Sequence, residues 1–211
     1  MAGGAPSMYR RTTTLGVSGT IDSLRKQLLY PLPPEAAARV PRRALRRALD
    51  AVQLGALADR LAAAEGGGDG LDAVRDWGGM LSLGEQQRLA FARLLINRPR
   101  LAILDEDTSA LDLPNEAAMY RALAGVPGLT IVSVGHRPSL LQYHRQLLRL
   151  KGADASPCFE LGPVEGLAPA ELCELEAGAA FLPAIFVPGA PLCGWSGGVQ
   201  PCPAVPRWFG V

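Results

Sequence analysis

The chain has 211 residues, a formal net charge of +1 and 48% hydrophobic residues, which is enough for one ordinary domain, or one domain and a tail, with a sizeable core. A net charge near zero gives no general argument for binding nucleic acid or a membrane surface. No run of about 18 apolar residues predicts a membrane span. The four cysteines have no Cys-x-x-Cys spacing, so neither a zinc site nor a disulfide framework is predicted, and we expect reduced thiols at Cys158, Cys173, Cys193 and Cys202.

Two segments precede the central motifs. Residues 1–18 are rich in Gly, Ser and Thr without periodicity, and we expect them to be disordered. Residues 34–65 predict helices, because a stripe of apolar residues recurs at helical spacing at Leu45, Leu49, Val52, Leu54, Leu57 and Leu61. A basic face lies outside this stripe, and we interpret it as solvated in preference to a surface for acidic lipid or nucleic acid. Its residues are Arg42, Arg43, Arg46 and Arg47.

The segment Ser82-Leu-Gly-Glu85 predicts the start of a helix. Ser82 and Glu85 have the spacing of a capping box, in which each side chain binds the backbone N–H of the other residue. Gly84 has no side chain, so the free amides of the first turn can approach an anion closely, with help from the helix dipole. The pattern therefore predicts either a phosphate-binding helix start or only a capped helix.

A buried strand follows this helix. Residues 101–104 form an unbroken apolar run, which is typical of a strand covered on both faces of a parallel sheet. Asp105 and Glu106 come directly after it, at the end where open α/β sheets bind ligands. We expect a helix at residues 115–123, a strand at 129–134 that ends before His136, a helix opening at Pro138 and a last strand at 146–150, which predicts a parallel α/β sheet.

Four of these segments resemble one family when they are taken in order. Residues 81–88 resemble the signature motif of ATP-binding-cassette (ABC) ATPases and residues 101–106 resemble their Walker B strand. Residues 108–112 are similar to the D-loop, and residues 133–137 to the loop that carries the switch histidine. The wording is most similar to the D-subfamily half-transporters, which include plastid and bacterial members. The resemblance covers residues 19–150.

The resemblance implies an α/β fold: part of a P-loop NTPase (ABC ATPase) domain with a helical subdomain over about residues 19–97 and a sheet region over 98–150. It implies ATP and Mg²⁺ as ligands and a second nucleotide-binding domain as the dimer partner. Asp105 would hold Mg²⁺ through its water shell, Glu106 would act as general base, and His136 would contact the γ-phosphate. Residues at the subunit seam would be Ser109 and Asp112, and those that grip the ATP of the partner would be Ser82, Leu83, Gly84 and Glu85.

One departure from the family limits what these 211 residues do alone. There is no Gly-x-x-x-x-Gly-Lys-Ser/Thr segment, so the loop that cradles the phosphates (Walker A) is missing. We therefore expect a fragment of a transporter ATPase, associated with a plastid or other organelle membrane through a transmembrane domain outside these residues. The alternative is a non-catalytic module that completes a partner's ATP site through its signature helix. Residues 151–211 are rich in Gly and Pro; we expect one helix at 167–180 and no packed element from Pro183 onward.

Overall fold

The computed structural model describes residues 21–135, 137–150, 159–165 and 182–186. The helices are α1 (Leu24–Leu29), α2 (Pro34–Ala38), α3 (Arg42–Ala51), α4 (Gly55–Ala64), α5 (Trp77–Met80), α6 (Leu83–Asn97), α7 (Leu113–Ala124) and a 3₁₀ helix (Pro138–Tyr143). The strands are β1 (Ile21–Ser23), β2 (Val74–Asp76), β3 (Leu101–Asp105), β4 (Thr130–Gly135), β5 (Gln146–Leu150), β6 (Phe159–Pro163) and β7 (Leu182–Phe186). The predicted helices and strands between residues 34 and 150 are all present.

The helices α1 to α6 pack around a core of leucines. The apolar stripe predicted for residues 34–65 is buried, and Leu45 and Leu49 are fully buried against α6. Trp77 closes one end of this core, where its Nε1–H donates to the Asp22 carbonyl at 2.7 Å. Helices α1, α3 and α7 pack against α6, so the position of α6 is set by these neighbours.

Two of the arginines on the predicted basic face are held in ion pairs. Arg42 pairs with Asp69 and Asp72, and Arg46 pairs with Asp59. The hydrogen bond from Arg42 lowers the pKa of Asp69. This part of the surface therefore carries acids beside its bases, which favours the interpretation as a solvated face.

The main sheet has the order β3-β4-β7-β5-β6. Strands β3 and β4 are parallel, with Leu101 opposite Thr130 and Asp105 opposite Val134. The predicted parallel pairing is thus present, but the sheet continues from β4 with antiparallel strands. The α/β class is confirmed, and the carboxyl ends of β3 and β4 lie at the same edge.

Two strands of this sheet come from the part of the chain that we expected to be an irregular tail. Strand β7 pairs with both β4 and β5, so the prediction that no packed element follows Pro183 is wrong for Leu182–Phe186. The physical reason is that the second edge of β4 presents N–H and C=O groups that a passing segment can pair with, whatever its composition. The helix expected at 167–180, the N-terminal residues 1–18 and the four cysteines lie outside the described residues.

No helix within the described ranges is long and apolar enough to cross a bilayer.

Candidate functional site

The start of α6 has the capping geometry that its sequence predicts. The Glu85 N–H donates to Ser82 Oγ at 3.3 Å, and the Ser82 N–H donates to a Glu85 carboxylate oxygen at 3.0 Å. The Ser82 hydroxyl lies 3.0 Å from the same carboxylate oxygen. Arg60 lies 3.7 Å from the other carboxylate oxygen, so a cation from α4 offsets the charge that Glu85 places at this helix start.

The two residues between Ser82 and Glu85 have different surroundings. Leu83 is exposed, at 60% of its maximum. A Cβ atom at Gly84 would lie 3.2 Å from the Ala110 carbonyl oxygen, so the first turn of α6 packs directly against the loop that follows β3. The sequence predicts Gly84 as a residue that lets a ligand approach; the structure adds that it lets this loop approach.

The predicted pair of carboxylates, Asp105 and Glu106, is exposed where β3 ends. Glu106 has a left-handed backbone with φ 53°, which is uncommon for a residue other than glycine and is kept where the surroundings hold it. Its N–H donates to the Val134 carbonyl at 2.9 Å, and its carbonyl accepts from the Ser109 N–H at 3.0 Å. The backbone of the predicted general base is therefore held on both sides.

A third acid, Asp107, was not predicted as a site residue. It is buried, at 8% exposure, and its carboxylate accepts from the Asp105 N–H at 3.1 Å. Burial, with a smaller contribution from the charge of Asp105, raises the pKa of Asp107 to about 7 despite the lowering effect of that hydrogen bond. The sequence shows Asp107 as a third acid after the strand. The burial of Asp107 could not be predicted, because it depends on distant residues.

Gln87 was also missed. Its amide N–H donates to Ser109 Oγ at 3.1 Å and to the Glu106 carbonyl at 3.4 Å, and its amide oxygen accepts from the Ala110 N–H at 3.1 Å. No local pattern marks this residue, because its partners lie 19 to 23 positions further along the chain.

Arg137 holds the other side of the same loop. One of its guanidinium N–H groups donates to the Leu111 carbonyl at 2.8 Å, to the Thr108 carbonyl at 3.2 Å and to a Glu116 carboxylate oxygen at 3.3 Å. Glu116 is fully buried on α7. The arginine therefore joins the chain after β4, the loop after β3 and helix α7.

A cleft opens between these elements. Its lining includes Glu106, Asp107, Ser109, Tyr120, Gly135 and Arg137. The predicted general base thus shares one cleft with the two residues that flank His136, while His136 itself lies outside the described residues. Asp112 caps α7, where its carboxylate accepts from the Asn115 N–H at 2.8 Å.

The site fits a magnesium nucleotide only in part. Asp105 and Glu106 supply exposed carboxylate oxygens, which are the donors that Mg²⁺ prefers. Among the described residues, no three His, Cys, Asp or Glu side chains are grouped so that they could hold a metal ion by themselves. A bound Mg²⁺ would therefore need most of its ligands from water and from the phosphates.

Comparisons with known proteins agree on one family. Residues 32–109 match the family described as ABC transporter. The chain is 47% identical over 144 residues to an ABC transporter ATP-binding protein of Synechocystis, and 49% identical over 110 residues to the chloroplastic ABC transporter D family member 2 of Arabidopsis thaliana. These matches support an ABC transporter nucleotide-binding domain of the D-subfamily type.

These alignments cover 68% and 52% of this chain but only 20% and 14% of the two relatives. The chain therefore spans a fifth or less of the length of these ABC transporter proteins. Among solved structures, it is similar to a bacterial Atm1-family ABC exporter with ATP bound, with a TM-score of 0.46 and 27% identity over 60% of this chain and 21% of that one. The start of α6 is the segment that resembles the signature motif of the ABC family, β3 is the one that resembles its Walker B strand, and residues 108–112 are those similar to its D-loop.

Proposed function

We propose that this chain serves in the ATP-binding subunit of an ABC transporter and contributes the carboxylates that hydrolyse ATP. The observation that carries the proposal is the end of β3, where Asp105 and Glu106 are exposed and Glu106 is held in a left-handed backbone. A carboxylate in this position can accept a proton from a water molecule that it also orients. His136 would contact the γ-phosphate in the same cleft.

The ligands of this site are ATP and Mg²⁺. Asp105 would hold Mg²⁺ through water, and the ion when bound neutralises charge on the phosphates. The residues of this chain orient the attacking water through Glu106 and receive its proton there. Since the 211 residues contain no Walker A segment, the phosphate cradle comes from elsewhere.

The signature motif would act on a second nucleotide-binding domain. Ser82, Leu83, Gly84 and Glu85 lie at the start of α6, where the hydroxyl and the free amides of the first turn suit a phosphate. Asp112 would lie at the seam between the two domains. The closing of such a dimer would drive a transmembrane domain that lies outside these residues. A membrane location in a plastid or another organelle follows as part of this proposal, in keeping with the chloroplastic Arabidopsis relative.

A second candidate is a non-catalytic module that offers its signature helix to a partner. The missing Walker A segment favours it, whereas the retained carboxylate pair favours catalysis. The two differ in one measurable respect: a catalytic domain restores hydrolysis when the missing segment is supplied, and a non-catalytic one does not.

A graft into the Synechocystis relative tests the proposal. The 144 aligned residues of this chain replace the corresponding stretch of the relative. The relative then supplies its own preceding residues. We expect the graft to hydrolyse ATP at a rate within about tenfold of the relative. A correctly folded graft without turnover would refute the catalytic proposal and support the non-catalytic module. The 211-residue chain alone is expected to show no Mg-ATP binding by calorimetry at micromolar nucleotide.

A further inference from the structure

The signature helix and the loop of the catalytic glutamate are joined by one side chain. Gln87 lies one turn into α6. Its side-chain amide donates hydrogen bonds to the loop after β3 and also accepts one from it. The donor side contacts Ser109 and Glu106, and the acceptor side contacts Ala110. A glutamine is the residue type that can do this, because a glutamate would lack the donor and a leucine would lack both.

The packing around this amide leaves little room for the helix and the loop to move separately. At Gly84, a Cβ would already lie 3.2 Å from the Ala110 carbonyl oxygen. Leu111, in the same loop, is buried, and its side chain would lie 3.6 Å from that Cβ. The first turn of α6 therefore touches the loop through Gly84 on one side and Gln87 on the other.

The contact reaches the backbone of Glu106 itself. The Glu106 carbonyl accepts from Gln87 as well as from the Ser109 N–H, and it belongs to the residue with the left-handed φ. A residue in that conformation costs about 1 kcal/mol or more unless its surroundings over-determine it. Loss of the Gln87 donor would remove one of the bonds that keep the Glu106 backbone in place.

We propose that Gln87 is a positioning residue that ties the signature helix to Glu106 within one chain. The inference rests on the proposed function, in which the signature serves the ATP of the partner while Glu106 serves the ATP on its own side. A shift of the helix when it meets the partner's phosphate is then passed through Gln87 to the general base of the other site. Gln87 thus couples the two ATP sites without contacting either nucleotide.

The adjacent glutamine is a matched control. Gln86 lies on the same turn of α6, but its amide donates to the Leu81 carbonyl at 2.9 Å and to the Gly78 carbonyl at 3.4 Å, away from the loop. The Gln86→Leu variant removes an amide of the same size from the same helix. It should therefore disturb the helix start and leave the loop after β3 unchanged.

The first measurement uses the full 211-residue chain and needs no nucleotide. Amide hydrogen exchange followed by NMR is compared for the Gln87→Leu, Gln87→Glu and Gln86→Leu variants. We expect Gln87→Leu to speed exchange of the Ala110 N–H about tenfold, because that N–H loses its acceptor. Gln87→Glu keeps the acceptor and should leave Ala110 protected while the carbonyl ¹³C shift of Glu106 changes. Unchanged exchange of Ala110 in Gln87→Leu would overturn the proposal.

The second measurement uses the graft and compares kcat with KM for ATP, because a merely structural role of Gln87 would not lower kcat alone. Gln87→Leu should lower kcat about tenfold with KM for ATP unchanged. Arg121→Met, which removes an arginine whose Nε–H donates to the Ala117 carbonyl within α7, should change neither. If Gln87→Leu does not fold, Gln87→Glu takes its place, since it loses only the donor contacts. Equal kcat in the Gln87→Leu and Arg121→Met grafts would refute the coupling. If the graft is inactive with Gln87 intact, the proposed function fails, and hydrogen exchange still decides whether Gln87 holds the loop.

Discussion

The start of the signature helix and the loop after β3 are built in different ways. At the helix start, Ser82 and Glu85 satisfy each other across three positions of sequence. The loop is held by residues far away in the chain: Gln87 reaches 19 to 23 positions and Arg137 reaches 26 to 29. The capping bonds of the helix start are local in sequence, whereas the loop takes its shape only when the helices and the sheet are packed together.

This difference has a consequence for function. The capping bonds of the helix start depend only on residues within three positions of one another. Glu106, the proposed general base, is instead placed by contacts from α6, β4 and the residues after β4, so its position responds to all three. Changes at the loop should therefore affect catalysis and stability more than changes at the helix start.

Arg137→Met should have the largest effect on stability. It removes the cation from Glu116, which is fully buried, and it frees two carbonyl groups of the loop. We expect a loss of about 3 kcal/mol, because a buried carboxylate is left without its charge partner. Urea denaturation of the full chain measures it. The control is Arg121→Met on α7, whose arginine donates from its Nε–H to the Ala117 carbonyl of the same helix, and equal losses would contradict the role of Arg137.

Asp107→Asn should stabilise the chain at pH 8. The asparagine oxygen can still accept from the Asp105 N–H, and the buried charge is gone. Since the folded pKa is raised to about 7, the carboxylate form weakens the fold as pH rises from 4 to 7, and the gain from Asn is full above pH 7. We expect a gain on the order of 2 kcal/mol in thermal denaturation at pH 8 and little at pH 4. A loss of stability at pH 8 would show that the charge is compensated.

Ser82→Ala tests the local capping bonds at the start of α6. The variant removes the acceptor of the Glu85 N–H, so we expect a loss of about 1 kcal/mol, as is typical for a helix cap. Hydrogen exchange should increase in the first turn of α6 and stay the same at residues 106–111. If hydrogen exchange rose in the loop as much as in the helix, the capping bonds of Ser82 would not be local in their effect.

Acid should lower the stability of the fold through the buried hydrogen bonds of His144. His144 is buried, with its Nε2 3.0 Å from Ser133 Oγ and its Nδ1 2.7 Å from the Leu140 carbonyl oxygen, and the Tyr120 hydroxyl lies 2.7 Å from the same Ser133 oxygen. Burial lowers the pKa of His144. The unfolded chain therefore binds more protons below pH 6.5, and stability should fall on the order of 1 kcal/mol as pH drops from 6.5 to 5.

The control for this pH dependence removes the buried imidazole. His144→Gln should flatten the fall in stability between pH 6.5 and 5. A fall of the same size in this variant would assign it to other groups.

Features that depend on neighbours in sequence could be predicted, and features that depend on distant residues could not. The capping box of Ser82 and the strand that ends at Asp105 were predictable, because each depends on neighbours in sequence. The roles of Gln87 and Arg137 and the burial of Asp107 were not, since they arise only when α6, β3 and β4 meet. Strand β7 was missed for a similar reason: Pro183 disfavours a strand locally, but pairing with β4 and β5 outweighs that preference.

The most direct test of the catalytic assignment is Glu106→Gln in the graft. The amide keeps the size of the side chain and cannot accept the proton of water, so we predict that ATP turnover falls about a thousandfold. Dimerisation driven by ATP, measured by light scattering, should remain, because binding does not need the proton acceptor. Turnover equal to that of the unchanged graft would contradict the role of Glu106 as general base.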